Sequence, residues 1–180
     1  MSKPRDRGLI ITRGVPGTGK STYVDAIRDA TANNEKITII NRDDIRMCIC
    51  KEWIQSGKYY VHCDSSPMSI EEMYQISFKN EILNRKVKEK YWRVVNEEMN
   101  RDDNEIIIID SCFLDIEDIV MLKTIKSLCK YKYFTTIYEF TKEYESIHNV
   151  PQRIMEEYRR KAQANRQHAY KLADKYVFVK

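Results

Sequence analysis

The chain has 180 residues, of which 42% are hydrophobic and 32% charged, with only 5 glycines and 4 prolines; this excludes a disordered, collagen-like or low-complexity polypeptide and fits one compact domain over residues 1–180. The 31 basic and 27 acidic residues leave a net charge of +4, too mild by itself to imply a polyanionic partner. No apolar run approaches the roughly 18 residues that span a bilayer, residues 1–8 hold no apolar signal core, and five cysteines without framework spacing suit a reducing compartment, so a cytoplasmic protein with no membrane role is expected.

Residues 8–13, a short branched apolar run, predict a strand that leads through a glycine-rich loop into a helical pattern over 20–32. A second buried-type strand is predicted over 36–41, followed by a short helix to about Cys50 with Asp43 or Asp44 as its cap. Residues 51–67 read as irregular, either a cover over a site or an ordinary surface loop with another helical turn. From Ser69 onward Met73, Ile76, Leu83, Val87, Tyr91 and Val94 recur at three- and four-residue steps, interrupted by Asn80, which predicts one long helix or two abutting ones. Isoleucine at four consecutive positions predicts a strand over 105–110 buried on both faces. A helix over 116–128, a strand over 133–140, a long helix after Pro151 and a short strand over 176–179 complete the chain. Strands alternating with helices predict an α/β fold, a central parallel sheet covered on both sides.

Gly14, Val15, Pro16, Gly17, Thr18, Gly19, Lys20 and Ser21 satisfy G-x-x-x-x-G-K-[ST] at every fixed position, between a predicted strand and a predicted helix as the motif requires. Glycines let backbone N–H groups turn inward around a phosphate, and the helix N-terminus adds its partial positive charge. Lys20 is placed to reach the outer phosphates, and the Ser21 hydroxyl to ligate Mg2+. The pattern predicts a nucleoside triphosphate site. Asp110, ending the isoleucine strand, stands where a carboxylate holds Mg2+ through water, or where a turn begins.

A phosphate loop alone does not separate kinases from motors, GTPases and pumps. The second strand ends in Asn41-Arg42-Asp43-Asp44-Ile45-Arg46, which offers carboxylates to take a hydroxyl proton and guanidinium groups to hold phosphates in line. One of the two aspartates is expected to cap the helix, leaving the other for chemistry.

GVPGTGKST at 14–22, INRDDIR at 40–46, IIIDS at 107–111 and VPQRIMEEYRR at 150–160 resemble, in the same order and over nearly the whole chain, the kinase domain of the phage polynucleotide kinase family. The resemblance implies a P-loop NTPase/kinase-type three-layer fold. It also implies ATP- and Mg2+-dependent phosphoryl transfer to a 5′-hydroxyl end of DNA or RNA, in the host cytoplasm if the origin is a phage. By that resemblance Asp43 is the general base, Lys20 and Arg46 complete the catalytic set, and Gly14 through Ser21 with Thr22 hold the nucleotide. Ser21 and Asp110 serve the metal, and Arg42, Arg46 and Asp110 the acceptor. Related readings are a kinase of the same fold acting on a nucleoside, a nucleotide or a hydroxymethylated DNA base, and a nucleotide-dependent binding protein without catalysis.

The chain departs from the family in one segment. The family's arginine-bearing lid corresponds to residues 141–149, which hold no arginine; Lys142, Arg153, Arg159 and Arg160 are the nearest cations. No D-x-D-G-type motif is present, so 3′-phosphatase activity is not expected. Basic residues cluster over 77–93 (Lys79, Arg85, Lys86, Lys88, Lys90, Arg93), either along a nucleic-acid backbone or as a solvated helix face. Trp53, Tyr59 and Tyr60 are candidates for stacking on a base or for packing beneath a loop. Cys48-x-Cys50 with His62-Cys63 fits no usual zinc spacing, the three histidines have no nucleophile partner, and no protein partner is indicated.

Overall fold

The computed structural model describes residues 7–31, 36–57, 68–142 and 150–180. Five strands form one sheet: β1 (Arg7–Arg13), β2 (Ile37–Asn41), β3 (Ile106–Asp110), β4 (Tyr133–Phe140) and β5 (Lys175–Val179), in the spatial order β2-β3-β1-β4-β5. The helices are α1 (Lys20–Ala30), α2 (Arg42–Gln55), α3 (Ile70–Ser77), α4 (Glu81–Asn100), α5 (Ile116–Leu128), α6 (Gln152–Ala164) and α7 (Arg166–Leu172). The chain divides into two compact units, Met1–Ile40 with Asn96–Lys180, and Asn41–Val95. Among the described residues no helix is long and apolar enough to cross a membrane.

The first unit is built on the sheet. β1 runs parallel to β3 with Leu9 opposite Ile107 and Ile11 opposite Ile109, and parallel to β4 with Ile11 opposite Ile137. β4 in turn runs parallel to β5. Leu9, Ile11, Ile107, Ile108, Ile109 and Ile137 are all fully buried, so successive residues of β3 are covered on both faces, as its unbroken isoleucine run requires. Each such side chain contributes about 1.5–3 kcal/mol relative to exposure. The same parallel register brings the C-terminal ends of β1 and β3 side by side, and ligand-binding loops of open α/β sheets gather at such ends.

The second unit packs α2 against α3 and α4 around Ile49, Cys50, Met73, Leu83 and Val87. α3 begins with a capping box, in which the Ser69 hydroxyl accepts from the Glu72 backbone and the Glu72 carboxylate accepts from the Ser69 backbone.

Three local expectations change. The cap of α2 is Asn41, not Asp43 or Asp44: the Asn41 side chain accepts from the backbone N–H of both aspartates, at 2.7 and 3.2 Å. Asn41 has the extended backbone of a cap, whereas the aspartates already lie in the first helical turn. That helix continues to Gln55, so Trp53 stands on α2, partly buried against the core, rather than in an irregular stretch. Tyr59, Tyr60, His62 and Cys63 lie outside the described residues. The stripe from Ser69 takes the second of its two expected forms, two abutting helices divided at an asparagine, whereas the long helix expected after Pro151 is itself broken at another. Asn80 closes the turn before α4 by accepting from the Leu83 backbone at 3.0 Å, and Asn165 separates α6 from α7 while donating to the Leu114 carbonyl at 2.9 Å. Asparagine side chains compete with the helix for backbone groups, which makes them good boundaries.

Candidate functional site

In the first unit β1 ends at Arg13 and α1 starts at Lys20, and the loop between them turns on three glycines with positive φ, Gly14 at 147°, Gly17 at 77° and Gly19 at 84°. Gly14 admits no side chain: a Cβ there would stand 2.7 Å from the Phe140 carbonyl oxygen and 3.0 Å from Thr18 Oγ1. Its N–H donates to the Cys112 carbonyl, which ties the loop to the segment after β3. Gly19 caps α1 with no side chain, and the first turn holds no acidic residue. The leading N–H groups of α1 therefore face outward with a positive partial charge and no internal anion.

Lys20 is 8% exposed. Its ammonium donates to the Val15 carbonyl at 2.7 Å and lies 3.4 Å from Thr18 Oγ1, whose own hydroxyl donates to the same carbonyl at 2.9 Å. Lys20 is thus a nearly buried cation bonded to neutral oxygens, with no carboxylate among its hydrogen-bond partners. Ser21 and Thr22 follow in the first turn of α1, both exposed.

Asp110 is 5% exposed at the end of β3. Thr12 Oγ1 on the neighbouring strand lies 3.1 Å from Asp110 Oδ1 and accepts from the Ser111 backbone at 3.2 Å. The first unit thus assembles the phosphate loop, Lys20 and Asp110 on the adjacent ends of β1 and β3. Among the described residues no group of three or more histidines, cysteines, aspartates or glutamates is able to hold a metal by itself. Magnesium keeps most of its water and uses one or two protein oxygens together with substrate phosphates; the Ser21 hydroxyl and the Asp110 carboxylate are hard oxygens of the kind that mode needs.

Behind the loop lies a charge network that sequence reading did not find. Arg13 is fully buried and Glu139 is 2% exposed. They are register partners on β1 and β4, with Nη1 2.8 Å from Oε1. Glu139 also accepts from Arg166 and from the Tyr176 hydroxyl, while Arg13 Nη2 donates to the Ala162 carbonyl at 2.6 Å near the end of α6. Burial, then the bond to Glu139, pushes the Tyr176 hydroxyl above the ordinary tyrosine range. The sequence signal was a single charged residue near the end of each of two apolar strands; their pairing was not visible.

In the second unit the first turn of α2 carries Arg42, Asp43 and Asp44. Both aspartates are exposed, and since Asn41 does the capping neither carboxylate is needed for it. The Arg42 guanidinium lies 4.3 Å from the centre of the Tyr91 ring. One turn further, Arg46 is 6% exposed and donates through Nη1 to Ser77 Oγ and Asn84 Oδ1. Burial, then the Asp43 carboxylate with which it shares a hydrogen bond, raises the Tyr74 pKa well above its usual value, so Tyr74 stays a donor toward Asp43 at neutral pH.

Of the basic residues on α4, Lys90 pairs with Glu52 at 2.8 Å, Arg85 lies 3.9 Å from Glu89, and Lys86 sits 4.8 Å from the Trp53 ring centre. The predicted site residues therefore fall into two sets, Gly14 through Thr22 with Asp110 in the first unit, and Arg42, Asp43 and Arg46 in the second. Residues 143–149, where the lid arginine was sought, lie outside the described residues.

No protein-family model matches the chain, and no curated protein matches it in sequence. Solved structures do resemble it. A candidate kinase from Chloroflexus aurantiacus superposes with a TM-score of 0.51 at 11% identity, covering 98% of this chain and 86% of that one. A chain of the Pnkp1/Rnl/Hen1 RNA repair complex gives 0.53 at 14% identity, covering 92% of this chain and 47% of that one. A gluconokinase from Sinorhizobium meliloti 1021 gives 0.49 at 14% identity, over 97% and 83%. The architecture read from the sequence is the one found, an α/β fold with a central parallel sheet flanked by helices, and it is the fold shared with the Chloroflexus kinase and the RNA repair chain.

Proposed function

We propose that the chain is an ATP- and Mg2+-dependent phosphotransferase that moves the γ-phosphoryl group of ATP to the 5′-hydroxyl end of DNA or RNA. The observation that carries the reading is the glycine turn leading into α1 with Lys20 buried at its rim, a receptor for the phosphates of a nucleoside triphosphate. The acceptor side of the reading is supported by the start of α2, where exposed Asp43 precedes buried Arg46 by one helical turn. The likeness to a chain of an RNA repair complex favours a nucleic-acid acceptor over a small sugar.

In this reaction the Asp43 carboxylate takes the proton of the acceptor hydroxyl as its oxygen bonds to the γ-phosphorus, and the bond from that phosphorus to the β,γ-bridging oxygen breaks to release ADP. Lys20 and the N–H groups of the loop hold the donor phosphates, and Arg46 holds a phosphate of the acceptor strand. Ser21 and Asp110 would hold Mg2+, which when bound would supply neutralisation of the charge on the donor phosphates.

The test is transfer of label from γ-labelled ATP to a 5′-hydroxyl oligonucleotide, with free nucleosides and hydroxymethylated duplex in parallel. Labelled oligonucleotide is the expected result; a labelled small molecule or internal base, or binding without transfer, overturns the choice of acceptor or the catalytic reading respectively. Asp43→Asn should keep ATP affinity and lower transfer by about 10²–10⁴-fold, whereas Lys20→Ala should weaken productive ATP binding. Full activity in Asp43→Asn removes the proposed base.

A further inference from the structure

Arg46 carries a charge into the interior of the second unit with no carboxylate in ion-pair contact among the described residues. It is 6% exposed, and its hydrogen-bond partners are neutral: Nη1 donates to Ser77 Oγ at 3.1 Å and to Asn84 Oδ1 at 2.9 Å, and Nε has no acceptor. The Phe78 ring centre lies 4.1 Å from Cζ. Among the described residues Arg46 makes no salt bridge; Asp43 acts on it only through space. Burial is the leading influence on the guanidinium and lowers its pKa, with Asp43 opposing.

The socket is itself held rigid. Ser77 is fully buried, and its hydroxyl donates to the Tyr74 carbonyl at 2.6 Å, leaving an oxygen lone pair for Arg46. The Asn84 amide donates through Nδ2 to the Phe78 carbonyl at 2.8 Å, which fixes Oδ1 toward Arg46. Asn80 closes the same turn from the other side. A carboxylate at Ser77 or Asn84 would serve folding better, because a buried guanidinium is costly unless an anion compensates it. Neutral acceptors orient Arg46 and leave its charge to be matched from outside.

From this arrangement we infer that Ser77 and Asn84 are positioning residues of the acceptor site, which aim the Arg46 guanidinium while keeping it uncompensated, so that a phosphate next to the acceptor hydroxyl completes the ion pair. The inference rests on the proposed 5′-hydroxyl kinase reading.

Asn84→Asp separates this role from a structural one. The new carboxylate pairs with Arg46, so the melting temperature should equal or exceed that of the unsubstituted protein. The KM for a 5′-hydroxyl oligonucleotide should rise at least about tenfold with the KM for ATP unchanged. An unchanged acceptor KM in a folded Asn84→Asp protein overturns the inference. Should that variant fail to fold, Ser77→Ala is read instead, with a roughly three- to tenfold rise in acceptor KM expected and an unchanged value overturning. Equilibrium binding of thymidine 3′-phosphate provides a readout independent of catalysis. If the unsubstituted protein transfers phosphate to no 5′-hydroxyl end, the kinase reading fails. The positioning role then stands if Asn84→Asp weakens thymidine 3′-phosphate binding at least about tenfold, and falls if binding is absent or equal.

Discussion

Two arginines are buried among the described residues, and they are treated in opposite ways. Arg13, in the first unit, is fully buried against Glu139, which also binds Arg166 and Tyr176. Arg46, in the second, is 6% exposed and surrounded by a hydroxyl, an amide and an aromatic ring. Each keeps an Nε without an acceptor, so the difference lies in charge and not in the number of hydrogen bonds. A buried cation with its own carboxylate ties strands and helices together, while the one aimed by neutral groups is, on the inference above, left for an anion to complete.

The largest test of that contrast is Glu139→Ala. It leaves Arg13 buried without its anion and should destabilise folding by about 3–5 kcal/mol in chemical denaturation; a loss under about 1 kcal/mol would erase the distinction. Arg46→Met should do the reverse. No ion pair among the described residues is broken, so stability should fall by only about 1–2 kcal/mol, mostly from the acceptors left behind, while kcat/KM for a 5′-hydroxyl oligonucleotide drops on the order of 10²-fold. A stability loss matching that of Glu139→Ala would make Arg46 structural as well.

Asn41→Ala, which removes the cap holding Asp43 and Asp44 in the first turn of α2, should cost about 1 kcal/mol and lower transfer more than ATP binding. Helicity by circular dichroism together with steady-state kinetics checks it. The smallest effect belongs to alkaline pH. Tyr176 and Tyr74 both have raised values, through burial first and then Glu139 or Asp43. Their contribution is fully present below the ordinary tyrosine value of about 10 and is lost as pH climbs from there through the folded values. Tyr176→Phe and Tyr74→Phe should each flatten that alkaline fall in stability, and a fall of unchanged steepness in both would exclude these hydroxyls as its source.

Much of the first unit was legible because its signals are contiguous. Gly14 through Ser21 declare a phosphate loop in eight residues, and Ile106 through Ile109 declare a strand covered on both faces. The boundaries within long stripes were marked by Asn80 and Asn165, yet a polar residue inside an apolar pattern signals a break or a solvated position equally. The cap of α2 was misassigned for a related reason. Asn41, Asp43 and Asp44 are all good caps by side chain, and only the extended backbone of Asn41 decides among them. Ser77 and Asn84 carried no signal at all, since each reads as an ordinary polar residue on a helix.

What the chain determined by itself is local: where backbone must turn on glycine, which runs are apolar enough to be covered on both faces, and which residues bring carboxylates and cations to the start of α2. Which charge meets a countercharge was decided only by the folded arrangement. Register sets Arg13 opposite Glu139 across two strands, and Arg46 meets partners 31 and 38 residues away. The physical reason is one of range. Turn and helix preferences act within a few residues, whereas the cost of a buried charge depends on every group brought around it, and no stretch of sequence holds that information alone.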